Sequence, residues 1–158
     1  MIGRLFPAQI DNRLPGHRAA LWLLGVYIAL KLVMSINSIL NTAAVASGAD
    51  GIPLASFGPD AARMVLLLFA LTALGQLALA LLGILALVRY KAMVPLVLAL
   101  LLAEHLARRL IVSSYATGNA PGSPIGFYIN LGLGTLLGLA LILSLVARPG
   151  DSRRASVS

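Results

Sequence analysis

Long apolar runs alternate with short polar connections along the chain, and this pattern predicts its elements. Crossing a hydrocarbon core takes about 20 mostly apolar residues in a helix. Four runs qualify, and they are Ala19–Asn41, Ala62–Val88, Ala92–Val112 and Gly126–Val146. The runs are continuous, unlike the short alternating segments of a membrane β-barrel. Because lipid offers no partner to an unpaired backbone amide, we expect an all-α integral membrane bundle of four transmembrane helices.

The connections between the runs are short except for the first. Residues 89–91 alone separate the second run from the third, which predicts a tight antiparallel hairpin. The stretch Thr42–Asp60 is rich in turn-forming residues, so we expect a loop in which Asp60 caps the next helix. Its hydrophobic residues suggest the hypothesis that it packs onto the bundle mouth. We divide the chain into a basic N-terminal segment (1–18), a four-helix domain (19–147) and a polar tail (148–158).

Composition agrees with a membrane protein and excludes several other classes. Of the 158 residues, 59% are hydrophobic and 11% are charged. A soluble domain carries about 25% charged residues, so an ordinary water-soluble domain is excluded. The sequence contains no cysteine, which excludes disulfides, thiol chemistry and cysteine-ligated metals.

The positions of the basic residues predict the orientation. The net charge of +7 flanks apolar runs instead of forming a basic stripe with interleaved aromatics, so we expect no nucleic-acid partner. Eight basic residues fall in the N-terminal segment, the hairpin and the tail, against three on the opposite side. By the positive-inside rule, both termini are expected in the cytoplasm. The eight are Arg4, Arg13, Arg18, Arg89, Lys91, Arg148, Arg153 and Arg154.

Three polar residues inside the runs predict a shared level near the membrane midplane. Lys31 and Glu104 each lie about 12 residues from the cytoplasmic end of their runs, a depth of roughly 18 Å. Gln76, counted back from the end of the second run, reaches the same depth. A charge there costs at least about 2.5 kcal/mol, so it needs a partner. We therefore predict a Lys31–Glu104 ion pair with Gln76 as a nearby hydrogen-bond partner.

More polar residues lie at the same level or one turn and more further out. Arg108 follows Glu104, and Arg109 follows His105, by four residues, so each pair shares a helix face. Arg108 either pairs with Glu104 or extends to the outer headgroups. The predicted intramembrane polar layer is Lys31, Gln76, Glu104, His105 and Arg108, and the outer polar level is Asn37, Arg109 and Asn130. A polar stripe on the first helix comprises Tyr27, Lys31, Ser35, Ser38 and Thr42.

Histidines and glycines supply the remaining candidates. His17 and His105 differ in depth by roughly half a bilayer, so they are not expected to share a haem or a metal. We expect neither a metal nor another cofactor. Gly134 and Gly138 have the GxxxG spacing of helix-packing faces, which serves contacts within the chain or with another copy.

These features favour one function and leave two alternatives. The overall pattern resembles small bacterial inner-membrane bundles in a general way, since it has four spans, a lysine in the first span and a tight hairpin between the second and third. We expect an accessory or structural protein, part of a larger membrane complex or a homo-oligomer, held together by an intramembrane polar clasp. The alternative is a small transporter or channel using the polar layer. An enzyme is least favoured, because only Glu104 and His105 are placed for acid–base work.

Overall fold

Four long α-helices make up most of the part of the chain that this computed structural model describes, which is residues 5–7, 9, 11, 12, 14, 16–115 and 124–146. Those residues contain no strand, so the expected all-α class is confirmed. Each helix end falls within three residues of a predicted run, for example Pro59 against Ala62. The helices are α1 (Ala19–Leu40), α2 (Pro59–Val88), α3 (Val94–Tyr115) and α4 (Pro124–Leu145).

The helices form an antiparallel ring in chain order, in which α4 closes against α1. Helix α2 therefore contacts both α1 and α3, while α1 and α3 lie diagonally across the ring. The contact between α1 and α2 is the most extensive, and that between α2 and α3 is the sparsest of the four neighbouring pairs among the described residues. At the α1–α2 contact, the backbone of Gly83 approaches the buried side chain of Ile28.

One end of the bundle holds the short connection between α2 and α3, and we call it the hairpin end. The chain before α1 and the last turn of α4 also meet there, since the His17 amide donates to the Leu143 carbonyl at 3.0 Å. The Ala92 amide donates to the Asp11 carbonyl at 3.2 Å. The opposite end holds the connection 41–58, and we call it the loop end. The predicted tail, together with Arg4 and Arg13, lies outside the described residues.

Apolar side chains fill the interior at the hairpin end and also cover the outside of the helices. Leu24, Leu98 and Leu137 are completely buried in the core. On the outer surface, by contrast, large apolar side chains are exposed along all four helices, with Leu110 at 70%. An exposed apolar surface of this extent marks contact with lipid or with a partner.

Three of the four described helices are long and apolar enough to cross a membrane, namely α1, α2 and Gly126–Leu145 of α4. This finding supports a membrane protein with transmembrane helices. Helix α3 falls outside that set, since it carries Glu104, Arg108 and Arg109 within its 22 residues. Of the four expected spans, three therefore have the length and apolar composition of a membrane-spanning helix, and the fourth stays a prediction.

The first connection differs from the predicted loop. Thr42–Ala44 is an α-helical turn, Val45–Ala49 a π-helical turn and Leu54–Ser56 a 3₁₀ turn. Four alanines between residues 43 and 49 favour helical backbone, and this backbone ends before Gly51, whose φ of 69° lies in the left-handed region that glycine adopts readily.

The predicted cap of the second helix is wrong. Gly58 occupies the N-cap of α2 and Pro59 the first helical position, and Asp60 follows inside the first turn without a capping hydrogen bond. Proline suits that position because its fixed φ matches the helix and its missing N–H would have had no partner there. Asp60 still faces the positive end of the helix dipole.

Candidate functional site

A chain of hydrogen bonds joins three helices at the middle of the bundle. Lys31 Nζ of α1 donates to Gln76 Oε1 of α2 at 2.7 Å. Gln76 Nε2 in turn donates to Glu104 Oε1 of α3, also at 2.7 Å. Arg108, one turn further along α3, donates to the same oxygen through Nε at 2.9 Å and Nη2 at 2.5 Å. We call these four residues the polar network.

The network corrects the predicted Lys31–Glu104 ion pair. Among the described residues, the ion pair of Glu104 is with Arg108, and Lys31 reaches the carboxylate only through Gln76. The order of the helices explains why Lys31 and Glu104 do not pair directly, because α1 and α3 lie diagonally across the ring and α2 is the neighbour of both. A residue on α2 is therefore placed to bridge them, while Arg108 needs only the i,i+4 spacing within α3.

One carboxylate oxygen of Glu104 accepts all the hydrogen bonds of the network that reach this residue. Oε1 accepts all three donors, whereas Oε2 is buried and has no partner among the described residues. The Tyr27 hydroxyl is likewise buried without a partner in that part of the chain. Lys31 Nζ lies 5.8 Å from the centroid of the Tyr27 ring, a cation–π arrangement that adds to the partners of the ammonium.

His105 of the predicted polar layer packs away from the network. Its imidazole is buried with 4% exposure. A Cβ added to Gly134 of α4 would lie 3.0 Å from His105 Nε2, so the glycine makes room for the ring. Gly138 has nothing within 4 Å of such a Cβ. Gly134 thus allows close packing of α4 against His105 of α3, whereas the space beside Gly138 is open.

The predicted outer polar level is only partly brought together. Arg109 stacks over the Phe127 ring at 5.2 Å, and Asn130 donates to the Gly126 carbonyl of its own helix at 2.8 Å. These two side chains lie on facing helices at the loop end. Asn37 is exposed, and its amide oxygen accepts a bond from Asn41 at 2.8 Å.

A cavity of about 790 Å³ opens on the loop side of the polar network. All four helices and the first connection contribute to its wall. Its polar lining includes Lys31, Ser35, Ser38, Asp50, Thr72, Gln76, Arg108, Arg109 and Asn130. Its apolar lining includes Met34, Ile52, Phe69, Ala73, Val112 and Phe127.

The sequence analysis did not predict the cavity, but it did single out several of the residues that line it. The polar stripe of α1 contributes Lys31, Ser35 and Ser38 to the wall. Asp50 and Ile52 come from the first connection, as expected of a loop that packs onto the bundle mouth. The two aromatic residues that line the cavity, Phe69 of α2 and Phe127 of α4, lie in no sequence pattern that distinguishes them from lipid-facing residues.

Asp50 lies at the rim of this cavity. The residue as a whole is exposed, but burial of its carboxyl group raises the pKa above the ordinary value, and the Arg108 guanidinium partly opposes that shift. No carboxylate other than Asp50 lines the cavity among the described residues.

The arrangement offers hydrogen-bonding and electrostatic chemistry. Within the described residues, no group of three or more His, Asp or Glu side chains is arranged to hold a metal ion. His17 lies at the hairpin end, where its Nδ1 accepts a bond from the Ala19 amide at 3.1 Å. It is thus far along the bundle from His105 at the network level.

Comparisons with known proteins add no family assignment. No protein-family model, no curated protein and no solved structure matches the chain.

Proposed function

We propose that all four helices cross the membrane and that both termini face the cytoplasm of a bacterial inner membrane. Helix α3 occupies one side of a ring whose other members are apolar enough to span. Its Glu104 and Arg108 neutralise each other and face the network. The hairpin end carries Arg18, Arg89 and Lys91, which favours the cytoplasmic side for that end.

The proposed role is that of an accessory or structural membrane protein held together by the polar network as a clasp. The observation that carries this proposal is the unbroken sequence of bonds from Lys31 through Gln76 to Glu104 and Arg108. It links α3 to α2 where contacts between those helices are sparse. Polar contacts between membrane helices commonly fix packing in this way.

A double-mutant cycle tests the clasp. The variants are Lys31→Met, Glu104→Gln and their combination, each with Gln76 intact and with Gln76→Leu. The clasp predicts a coupling free energy of about 0.5–1 kcal/mol that vanishes without the Gln76 amide. Lys91→Met at the hairpin is the matched control and should show no coupling to Glu104→Gln. Coupling that survives Gln76→Leu would contradict the proposal.

The same proposal includes a partner, either other subunits of a larger complex or another copy of this chain. Gly138 supports it, because its open surroundings leave room for a neighbouring helix. Native mass spectrometry after purification in a gentle detergent provides the test. Stoichiometric subunits or a defined homo-oligomer are expected, and a strictly monomeric protein would contradict this part.

The second candidate is a small transporter or channel, and the cavity beside the network favours it. Against a continuous path stands the core at the hairpin end, where Leu24, Leu98 and Leu137 are completely buried. A flux assay in proteoliposomes separates the two candidates. Transport predicts that Lys31→Met with Glu104→Met abolishes flux in a folded protein, whereas the structural role predicts no flux in any variant.

A further inference from the structure

The cavity at the loop end has features that a structural clasp does not require. We propose that it binds an amphipathic anion, a phosphate or carboxylate headgroup attached to an apolar chain, through Arg109, Arg108 and Lys31. This inference goes beyond the proposed function, since a clasp needs no ligand.

The charge of the lining favours an anion. Lys31, Arg108 and Arg109 line the cavity, against Asp50 as the acidic residue among the described lining. Glu104 pairs with Arg108 but does not line the cavity. A low-dielectric wall strengthens the attraction between such cations and an entering anion.

The same cations retain unused donors. Lys31 donates one of its three N–H bonds to Gln76, and Arg108 uses Nε and Nη2 on Glu104. Arg109 stacks on Phe127 and has no carboxylate within salt-bridge distance in the described parts of the chain. Guanidinium groups with free N–H donors match the geometry of phosphate and carboxylate oxygens.

The apolar lining favours a ligand with an apolar part. Met34, Phe69, Ala73, Val112 and Phe127 surround the polar residues. A small free anion would leave this apolar surface exposed to water, while an alkyl chain would cover it. The volume of about 790 Å³ lies within the range of small-molecule sites.

The position of the cavity provides a route for that chain. Thr72 of α2 and Val112 of α3 line the cavity, and both residues are exposed, Val112 at 60%. They lie on the two helices whose mutual contact is the sparsest of the ring. A headgroup held at Arg109 can therefore extend its chain between α2 and α3 into the lipid.

The experiment measures retention of defined lipids by the purified full-length protein. The protein is delipidated in a neutral detergent and titrated with phosphatidylglycerol, phosphatidylcholine or inorganic phosphate, and bound lipid is counted by native mass spectrometry. Thermal unfolding follows each titration in parallel. Phosphatidylglycerol is expected to bind and to raise the melting temperature, whereas phosphatidylcholine and inorganic phosphate are expected to have little effect.

Two substitutions at the cavity should act in opposite directions. Arg109→Gln is expected to weaken phosphatidylglycerol binding by about tenfold, because a charge-assisted contact is lost. Asp50→Asn is expected to strengthen binding, because it removes the carboxylate at the rim. Arg63→Gln is the matched control, since Arg63 is exposed near the start of α2 and does not line the cavity.

Each other outcome would overturn the inference. Equal binding by the wild type, Arg109→Gln and Arg63→Gln would show that the lipid binds nonspecifically around the helices. Stabilisation by inorganic phosphate as strong as that by phosphatidylglycerol would show a site for free anions. Equal retention of phosphatidylcholine would show that the acidic headgroup is irrelevant.

Discussion

Gln76 is the residue on which the polar network depends. Its amide accepts a bond from Lys31 and donates one to Glu104, a combination that neither a carboxylate nor an ammonium group provides. It therefore links an ammonium to a carboxylate across a distance that the two side chains do not close directly. A neutral residue also adds no further charge at this depth.

Replacing Gln76 by Leu should destabilise the protein. The change leaves Lys31 without its hydrogen-bond acceptor and removes one of the donors to Glu104. We expect the free energy of unfolding to fall by about 1–3 kcal/mol, measured by denaturation in mixed micelles. Thr72→Val is the control on the same helix, since within the described residues the Thr72 hydroxyl bonds only the Leu68 carbonyl of α2. Equal effects of the two changes would contradict the bridging role.

Asp50 should make stability depend on pH. Because burial raises its pKa, the native state binds the proton more tightly than the unfolded state. Stability of the wild type relative to Asp50→Asn should therefore rise as the pH falls from neutral towards about 4, near the ordinary pKa of the group. Comparing the two proteins at each pH removes the contribution of the other titrating groups. A relative stability that falls with acidification would contradict this assignment.

At the scale of single residues, sequence reasoning predicted which side chains share a level and that Gln76 is a hydrogen-bond partner there, but not that Gln76 bridges Lys31 and Glu104. Depth along a helix follows from residue counting, and this placed Lys31, Gln76 and Glu104 together. The hydrogen-bond partners of each side chain depend on the order of the helices around the ring, and this order cannot be deduced from the hydropathy pattern. Hence a direct ion pair was predicted where the structure has a bridge.

At the scale of the elements, the helices are determined by the apolar runs, while their ends depend on local backbone chemistry. Residue counting gave each helix end to within a few residues. It missed the helical turns of Thr42–Ala49, because glycines and prolines further along Thr42–Asp60 dominated the composition of the stretch. The spacing of Gly134 and Gly138 predicted one shared face, but only Gly134 approaches a side chain of another described helix.

The contact between α1 and α2 depends on a glycine. A Cβ on Gly83 would lie 2.5 Å from Ile28 Cδ1 and 2.9 Å from Cγ1, and Ile28 is buried with 3% exposure. Gly83→Ala should therefore destabilise the protein by about 1–3 kcal/mol through overpacking, measured by the same denaturation. Gly75→Ala is the matched control, because nothing lies within 4 Å of its added Cβ. Indistinguishable stabilities of the two variants would argue against close packing at Gly83.

At the scale of the whole molecule, the polar network divides the bundle into two unlike halves. The hairpin half has a closed apolar core around Leu24, Leu98 and Leu137. The loop half contains the cavity, with cations on its wall. Sequence composition predicted a membrane bundle but not this division, since the division depends on which side chains the four helices bring together on each side of the network.

The four-span topology depends most on α3, whose charged residues set it apart from the other helices. Because the chain contains no cysteine, single substitutions provide clean labelling sites. Lys91→Cys marks the hairpin end, and Ser114→Cys marks the opposite end of α3, where the residue is exposed. Ser56→Cys, in the first connection, marks the loop end independently.

Labelling of these variants in intact cells with a membrane-impermeant maleimide is the decisive measurement. If α3 crosses the membrane, Ser114→Cys and Ser56→Cys react from outside the inner membrane, and Lys91→Cys reacts only after permeabilisation. If Ser114→Cys and Lys91→Cys react from the same side, α3 does not cross, and both the four-span topology and the intramembrane clasp are wrong.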